Sequence, residues 1–191
     1  MRQGLGCIAV TDHNSFSIYS EIKDNGRVLV IPGEEVSSAE GHILAYGIDR
    51  EIPRGMSVRE TIDAIHAAGG AAFAAHPYRW WSGLGEKNVR GHEFDGTEAG
   101  NGRSDAKGNR RARKLAAELG RPTSAGSDAH TPDHIGDAYV DMPDAPSWQD
   151  ALLNIMDGKA KAFSTDRPAF DSVKYAWKSI TEWIFRGFKK M

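Results

Sequence analysis

The chain has 191 residues, of which 40% are hydrophobic and 26% are charged, as is typical of a globular domain with a sizeable core. Its formal net charge of -2 gives no overall basic field of the kind that attracts nucleic acid. A single cysteine, Cys7, excludes an internal disulfide, and no run is apolar enough for a secretory signal or a membrane span. We therefore expect a cytoplasmic protein without a transmembrane segment, and nothing in the composition indicates its oligomeric state.

Short apolar runs that end in polar residues recur along the chain and predict the strands of a buried sheet. We predict strands over residues 7–10, 28–31, 41–47, 71–75, 94–98, 122–125 and 159–163. The second of these is expected to stop at Pro32-Gly33. Helices are predicted from a capping box at Ser57 to Gly69, over about residues 104–119, and after Ser147. Strands that alternate with helices predict a parallel α/β sheet with helical crossovers.

The polar residues that follow these strands are of one chemical kind. In parallel α/β folds, functional sites lie at the carboxyl ends of the strands. Six residues at these ends have side chains that can bind transition metals: His13, Glu35, His76, Glu98, Asp128 and His130. Each alone is equally typical of a solvated loop, but their recurrence predicts a metal site.

The C-terminal residues have a different pattern, so we divide the chain into a barrel domain, residues 1–165, and a tail, residues 166–191. Apolar residues in the tail recur at helical spacing and predict an amphipathic helix. The segment from Arg167 to Met191 has six Lys or Arg and two Asp or Glu. This helix could pack on the barrel with a solvated basic edge, or it could contact an acidic partner, a membrane or nucleic acid.

Several motifs in this order resemble those of the polymerase and histidinol phosphatase (PHP) superfamily of metal-dependent phosphoesterases. The resemblance covers roughly residues 4–162, and each motif is weak alone but specific in combination. The matching segments are Ala9-Val10-Thr11-Asp12-His13-Asn14, Pro32-Gly33-Glu34-Glu35-Val36, Gly41-His42-Ile43-Leu44, Ala75-His76-Pro77, Glu98 with Asn101-Gly102-Arg103, and Gly126-Ser127-Asp128-Ala129-His130.

The resemblance implies a distorted (β/α)7 barrel with two or three divalent metal ions, such as Zn, Mn or Fe, in its mouth. The implied metal ligands are His13, Glu35, His42, His76, Asp128 and His130, with Glu35 as the bridging carboxylate. Three further residues, Asp12, Glu98 and Asn101, would orient these ligands. The implied catalytic residues are His130, Asp128, Arg103 and Arg79, of which the two arginines could grip a phosphate.

The chain departs from the family pattern at its beginning. Family members start with a strand that ends in His-x-His, and no histidine precedes His13 here. We therefore expect a PHP-type barrel that lacks its first strand, with fewer metal ions than the full family site. Either the reading frame begins further upstream or the chain is a degenerate copy.

The resemblance predicts a metal-dependent phosphoesterase acting on a phosphomonoester or phosphodiester of a small metabolite or nucleotide, with activity impaired by the missing ligands. The alternative is a catalytically inactive PHP-like module that binds a metal or a partner. A third hypothesis is a metal-dependent amidohydrolase. Such sites often include a carboxylated lysine on a strand, and no lysine lies at a predicted strand end here. Apart from the basic tail, the sequence has no clear nucleic-acid signal, so the expected partner is a small phosphorylated substrate.

Overall fold

The structure, a computed structural model, describes residues 3–165, so the predicted tail helix lies outside the described residues. The strands are Cys7–Val10 (β1), Leu29–Ser37 (β2), His42–Tyr46 (β3), Ala71–Ala74 (β4), Gly96–Asn101 (β5), Thr123–Gly126 (β6), Ala138–Asp141 (β7) and Lys161–Ser164 (β8). The helices are Ser17–Ile22 (α1), Val58–Ala67 (α2), Gly85–Gly91 (α3), Ala106–Leu119 (α4) and Trp148–Met156 (α5). A 3-10 turn covers Pro132–His134.

Strands β1 to β6 form one sheet in sequence order, and β7 and β8 form a separate antiparallel pair. The prediction of a wholly parallel sheet was wrong, because β3 runs antiparallel to both β2 and β4. The cause is the short turn from Ser38 to Gly41, which is long enough for a hairpin but too short for a helical crossover. The pairs β1–β2, β4–β5 and β5–β6 are parallel as predicted.

Strand β2 does not stop at Pro32-Gly33 as predicted but continues to Ser37. Pro32 is tolerated because it lies at the end of the ladder with β1, opposite Val10. At Gly33 a Cβ atom would lie 2.9 Å from the Ala45 carbonyl oxygen, so the neighbouring strand approaches too closely for a larger residue. The continued strand places Glu34 and Glu35 inside the sheet, on opposite faces.

The helices begin and end where capping residues allow. Ser57 and Glu60 form the predicted capping box of α2. Asp105 caps α4 by accepting from the Gly108 N–H, and α4 ends at Gly120 in the left-handed conformation. Ser147 caps α5. Helices α1 and α3, the 3-10 turn and strand β7 are absent from the prediction, since all four are short and have weak apolar periodicity.

The sheet separates two apolar clusters. On the outer face, alternate residues such as Val36, Ile43 and Ala45 pack against Ile62 and Ile65 of α2. On the inner face the packing residues belong to β2, β3, β4 and α5, and they include Ile31, Leu44, Phe73, Ala151 and Ile155. One cavity of about 720 Å³ is lined by residues of β1, β3 and β6 together. The sheet is therefore curled into a half-barrel, and the (β/α)7 strand number is not reproduced within residues 3–165.

Within residues 3–165, no helix is long and apolar enough to cross a membrane.

Candidate metal centre

A buried carboxylate, Glu35, lies at the centre of the candidate site. Its Oε1 is 2.5 Å from Nδ1 of His42 and 3.0 Å from Nε2 of His76. Its Oε2 is 3.9 Å from Nε2 of His13. Ligand atoms of His13, Glu35 and His42 all lie within 4.8 Å of one another. Three imidazoles around one carboxylate form a donor set that suits a divalent transition metal.

The sheet explains why these side chains meet. His13 follows β1 and pairs with Glu35 in a single parallel bridge. His76 follows β4, as predicted from the parallel strands. His42 instead begins β3, and because β3 is antiparallel, its first residue lies at the same edge of the sheet as the carboxyl ends of β1 and β4.

A second carboxylate, Asp128, lies beside this cluster and is held by arginines. Its Oδ2 accepts from Arg79 at 2.5 Å, and its Oδ1 lies 3.5 Å from Arg103. Asn101 links the groups, because its Oδ1 accepts from Arg79 and its Nδ2 donates to Glu98 and to Asp128. Glu98 in turn accepts from the backbone N–H of His76 at 2.6 Å. These bonds fix the position of His76 relative to Asp128.

Backbone strain is concentrated at the site. Within residues 3–165, three residues other than glycine have a positive φ: Asn14, His76 and Asp128. Each such conformation costs on the order of 1–3 kcal/mol and persists only where the surrounding structure enforces it. Asn14 is held by a pair of side-chain bonds to Ser37. Two of the six predicted ligands are therefore held in conformations that ordinary loops avoid.

The electrostatics of the site distinguish its carboxylates. Burial raises the pKa of Glu35, but hydrogen bonds from His42 and His76 outweigh it and hold the pKa well below its usual range. Burial, with the charge of Arg79, lowers the pKa of His76, so this imidazole is neutral at pH 7. Burial and the charge of Asp128 raise the pKa of Glu98 to about 8, so Glu98 holds a proton at neutral pH. Glu35 thus keeps a buried negative charge.

A cation fits this environment. Glu35 is 6% exposed and lies against the neutral His76. Within residues 3–165, Nδ1 of His76 is buried without a hydrogen-bond partner. The other ring nitrogen, Nε2, lies 3.0 Å from Oε1 of Glu35. A buried carboxylate beside the nitrogen of a neutral imidazole has the chemistry of a metal-binding pair. The cavity that opens onto it is also lined by Asp128 and His130, so a ligand could reach the cluster.

The six predicted ligands do not all lie equally close to one another. The tight set contains His13 with Glu35 and His42, whereas His130 is half-exposed and lies against Arg103 at about 3.0 Å. The ring centroids of His13 and His130 are 6.4 Å apart. Asp128 faces two arginines, an arrangement that sequence reasoning missed because a long-range ion pair leaves no local pattern.

The roles predicted for Arg79 and Asp12 stay predictions. Arg79 was expected to grip a phosphate, but its side chain is 7% exposed and its guanidinium is engaged by Asp128 and Asn101. It is placed to hold Asp128, whereas Arg103, at 16% exposure, lies closer to solvent. Asp12 was expected to orient ligands; this residue is exposed, and its backbone carbonyl accepts from the Glu35 N–H. Glu98 and Asn101 do contact the predicted ligands, as described above.

Comparisons with known proteins agree with this architecture. Residues 107–159 match the model of a family described as PHP-associated. The chain is similar to a crystal structure from Bacteroides vulgatus, described as a two-domain protein containing a predicted PHP-like metal-dependent phosphoesterase, with a TM-score of 0.65 and 18% identity. That match covers 85% of this chain and 57% of the other. The family model covers residues 107–159 alone, and at 18% identity the structural match shows a shared fold.

Two further proteins are similar to the chain. A complex of Endonuclease Q with a 27-mer duplex substrate has a TM-score of 0.62 and 16% identity, over 92% of this chain and 59% of that one. An uncharacterised protein of Methanocaldococcus jannaschii is 38% identical over 80 residues, which is 40% of this chain and 47% of that protein. The chain thus matches less than two thirds of the length of these proteins. At such low identity, the likeness to the solved structures shows a shared fold alone.

Proposed function

We propose that the chain is a metal-dependent phosphoesterase that hydrolyses a phosphomonoester or a phosphodiester of a small metabolite or a nucleotide. The observation that carries this proposal is the buried Glu35 carboxylate with His13, His42 and His76 around it, at the floor of an open cavity. Glu35, His13 and His42 would hold a first divalent ion, with His76 completing the set. Asp128 and His130 would contribute to any second position.

The chemistry of phosphoester hydrolysis matches what the residues offer. When bound, a divalent cation would neutralise phosphoryl charge and lower the pKa of a water nucleophile. Glu35 provides the negative charge that retains such a cation, and its depressed pKa keeps it ionised at neutral pH. Arg103, which lies 3.5 Å from Oδ1 of Asp128, would meet a phosphoryl oxygen. His130, half-exposed next to Arg103, can donate a proton to the leaving oxygen.

The relatives support the same proposal. One similar structure is described as containing a predicted PHP-like metal-dependent phosphoesterase, and another as Endonuclease Q in complex with a duplex substrate. The identity of the metal, whether zinc, manganese or iron, follows from neither the donor set nor the relatives, because imidazole and carboxylate suit all three.

Hydrolysis of p-nitrophenyl phosphate and bis-p-nitrophenyl phosphate tests the proposal. The purified chain is stripped with EDTA and then supplied with Zn²⁺, Mn²⁺ or Fe²⁺ in turn. We expect turnover that requires one of these ions and falls at least tenfold in Glu35→Gln. The matched control is Glu34→Gln, the adjacent strand residue on the opposite face, which should keep the activity.

Turnover that is absent with every metal, or equal in the two variants, would contradict the proposed enzyme. The first result, combined with retained metal binding, would favour the catalytically inactive metal-binding module. The engagement of Asp128 by Arg79 and Arg103 is the structural feature that favours this module, because those ion pairs compete with metal binding at Asp128.

A further inference from the structure

Two large apolar side chains are exposed beside the candidate metal centre. Trp80 is 86% exposed and Trp81 is 50% exposed, and they pack edge to face with ring centroids 6.2 Å apart. Both lie in residues 77–83, which we call the tryptophan loop. An apolar ring costs free energy when it faces water, so two adjacent exposed tryptophans indicate a contact surface. The metal centre described above makes no use of them.

The tryptophan loop is fixed to the metal centre at both ends. Arg79 N–H donates to the carbonyl of His76, and the Arg79 guanidinium is held by Asp128. At the other end, the carbonyl of Ser82 accepts from His42 N–H at 3.0 Å. Trp80 and Trp81 therefore lie between two points at which the loop is hydrogen-bonded to candidate metal ligands. A substrate whose phosphate enters the cavity would place its neighbouring groups against these rings.

A positively charged helix face continues this surface. On α4, Lys107, Arg110, Arg111 and Lys114 recur at the spacing that places residues on one side of a helix, and all four are exposed. We call these four residues the basic stripe. The opposite face of α4, with Ala112 and Leu115, is buried. The stripe meets the tryptophan loop directly, because the Arg111 guanidinium carbon lies 3.8 Å from the centre of the Tyr78 ring.

Helix stability does not explain the basic stripe. Positive side chains near the amino end of a helix oppose the helix dipole, and Lys107 lies in the first turn of α4. Acidic neighbours neutralise only part of the stripe: Glu118 lies 3.6 Å from Lys114, and Glu86 accepts from Tyr78 beneath Arg111. Within residues 3–165, neither Lys107 nor Arg110 has an ion pair. The near-neutral charge of the whole chain conceals this local concentration.

From these observations we infer that the tryptophan loop and the basic stripe bind single-stranded nucleic acid and lead its phosphate backbone into the metal centre. This inference rests on the proposed function and names the substrate class of the same site. Bases stack on exposed aromatic rings irrespective of sequence, and a row of Lys and Arg follows the backbone. A single strand fits better than a duplex, because paired and stacked bases do not present their faces to a tryptophan.

Binding of a fluorescein-labelled dT12 oligonucleotide, measured by fluorescence anisotropy in EDTA, tests the inference without catalysis. We expect the double variant Trp80→Ala/Trp81→Ala to bind at least tenfold more weakly than the native chain. The double variant Lys107→Glu/Arg110→Glu should also bind about tenfold more weakly, with a smaller dependence of binding on salt. Because all four side chains are exposed, these variants should fold normally.

Two control variants change an apolar and a basic side chain that lie outside the tryptophan loop and the basic stripe. Leu153→Ala removes an exposed apolar side chain of α5, and Lys23→Glu reverses a charge beside Gly6 and Leu29, at the amino ends of β1 and β2. Both should bind dT12 like the native chain. Equal weakening in the controls, equal or tighter binding of the corresponding duplex, or tighter binding to phosphatidylserine vesicles than to dT12 would each overturn the inference.

The two proposals can fail separately. A native chain that hydrolyses p-nitrophenyl phosphate in a metal-dependent manner but does not bind dT12 would overturn the nucleic-acid inference alone. Binding of dT12 that depends on Trp80 and Trp81, without hydrolysis of any phosphoester, would support this inference and contradict the proposed enzyme.

Discussion

Two adjacent glutamates show how one residue position decides a role. Glu34 and Glu35 follow each other on β2, and the alternation of the strand points them to opposite faces of the sheet. Glu35 meets three imidazoles and stays ionised. Glu34 is fully buried in the outer layer, where Oε2 accepts from the Ile52 N–H at 3.0 Å. Within residues 3–165, its Oε1 has no partner.

The environment of Glu34 predicts a pH-dependent stability. Burial, with the nearby charge of Glu51, raises the pKa of Glu34 from 4.5 to about 7. The native state therefore keeps a proton that the unfolded chain releases between these two values, so stability falls as the pH rises through this window and stays lower above it. The free energy of unfolding falls by about 1–3 kcal/mol across this window.

The substitution Glu34→Gln should remove this pH dependence of stability, because a neutral amide does not titrate and can still accept from the Ile52 N–H. We expect urea denaturation to show the variant more stable than the native chain at pH 8 and similar to it at pH 4.5. A constant difference between the two proteins across this range would show that Glu34 does not titrate as described.

At the scale of elements, a close contact joins β4 and β5. A Cβ atom at Gly96 would lie 2.1 Å from a ring carbon of the buried Phe73. This contact sets the distance between the strand that leads to His76 and the strand that ends at Asn101. The site residues at both strand ends depend on it.

We therefore predict that Gly96→Ala is destabilising by about 1–3 kcal/mol, since the core must move to admit the methyl group. Gly6→Ala is the matched control, because a Cβ atom at Gly6 would have no other atom within 4 Å and the φ of Gly6 is not positive. Thermal unfolding of both variants should show a lower midpoint for Gly96→Ala alone. Equal midpoints would mean that β4 and β5 have more freedom than the packing indicates.

The elements also show what sequence patterns can predict. The capping residues and glycine ends located α2, α4 and α5, because these signals are local. The direction of β3 was missed, since it depends on the length of the connection after β2 rather than on the residues of β3 itself. Helix α3 was missed because its first and last residues are glycines, Gly85 and Gly91, and it buries one residue.

For the whole molecule, the recurrence of metal-binding side chains after strands predicted which residues come together. A curled sheet brings the ends of distant strands to one cavity, and His42 lies at the same edge although its strand runs the other way. It could not predict that Asp128 pairs with Arg79 and Arg103, because those contacts join residues 49 and 25 positions apart. The assignment of individual ligands stays a prediction.

The central claim is that Glu35 and its imidazoles bind a divalent transition metal. Calorimetric titration of the EDTA-stripped chain with Zn²⁺ tests it most directly, with Glu35→Gln and Glu34→Gln titrated in parallel. We predict about one tight equivalent for the native chain and for Glu34→Gln, and a loss of at least tenfold in affinity for Glu35→Gln. Tight binding retained in Glu35→Gln, or no tight binding by the native chain, would contradict the account.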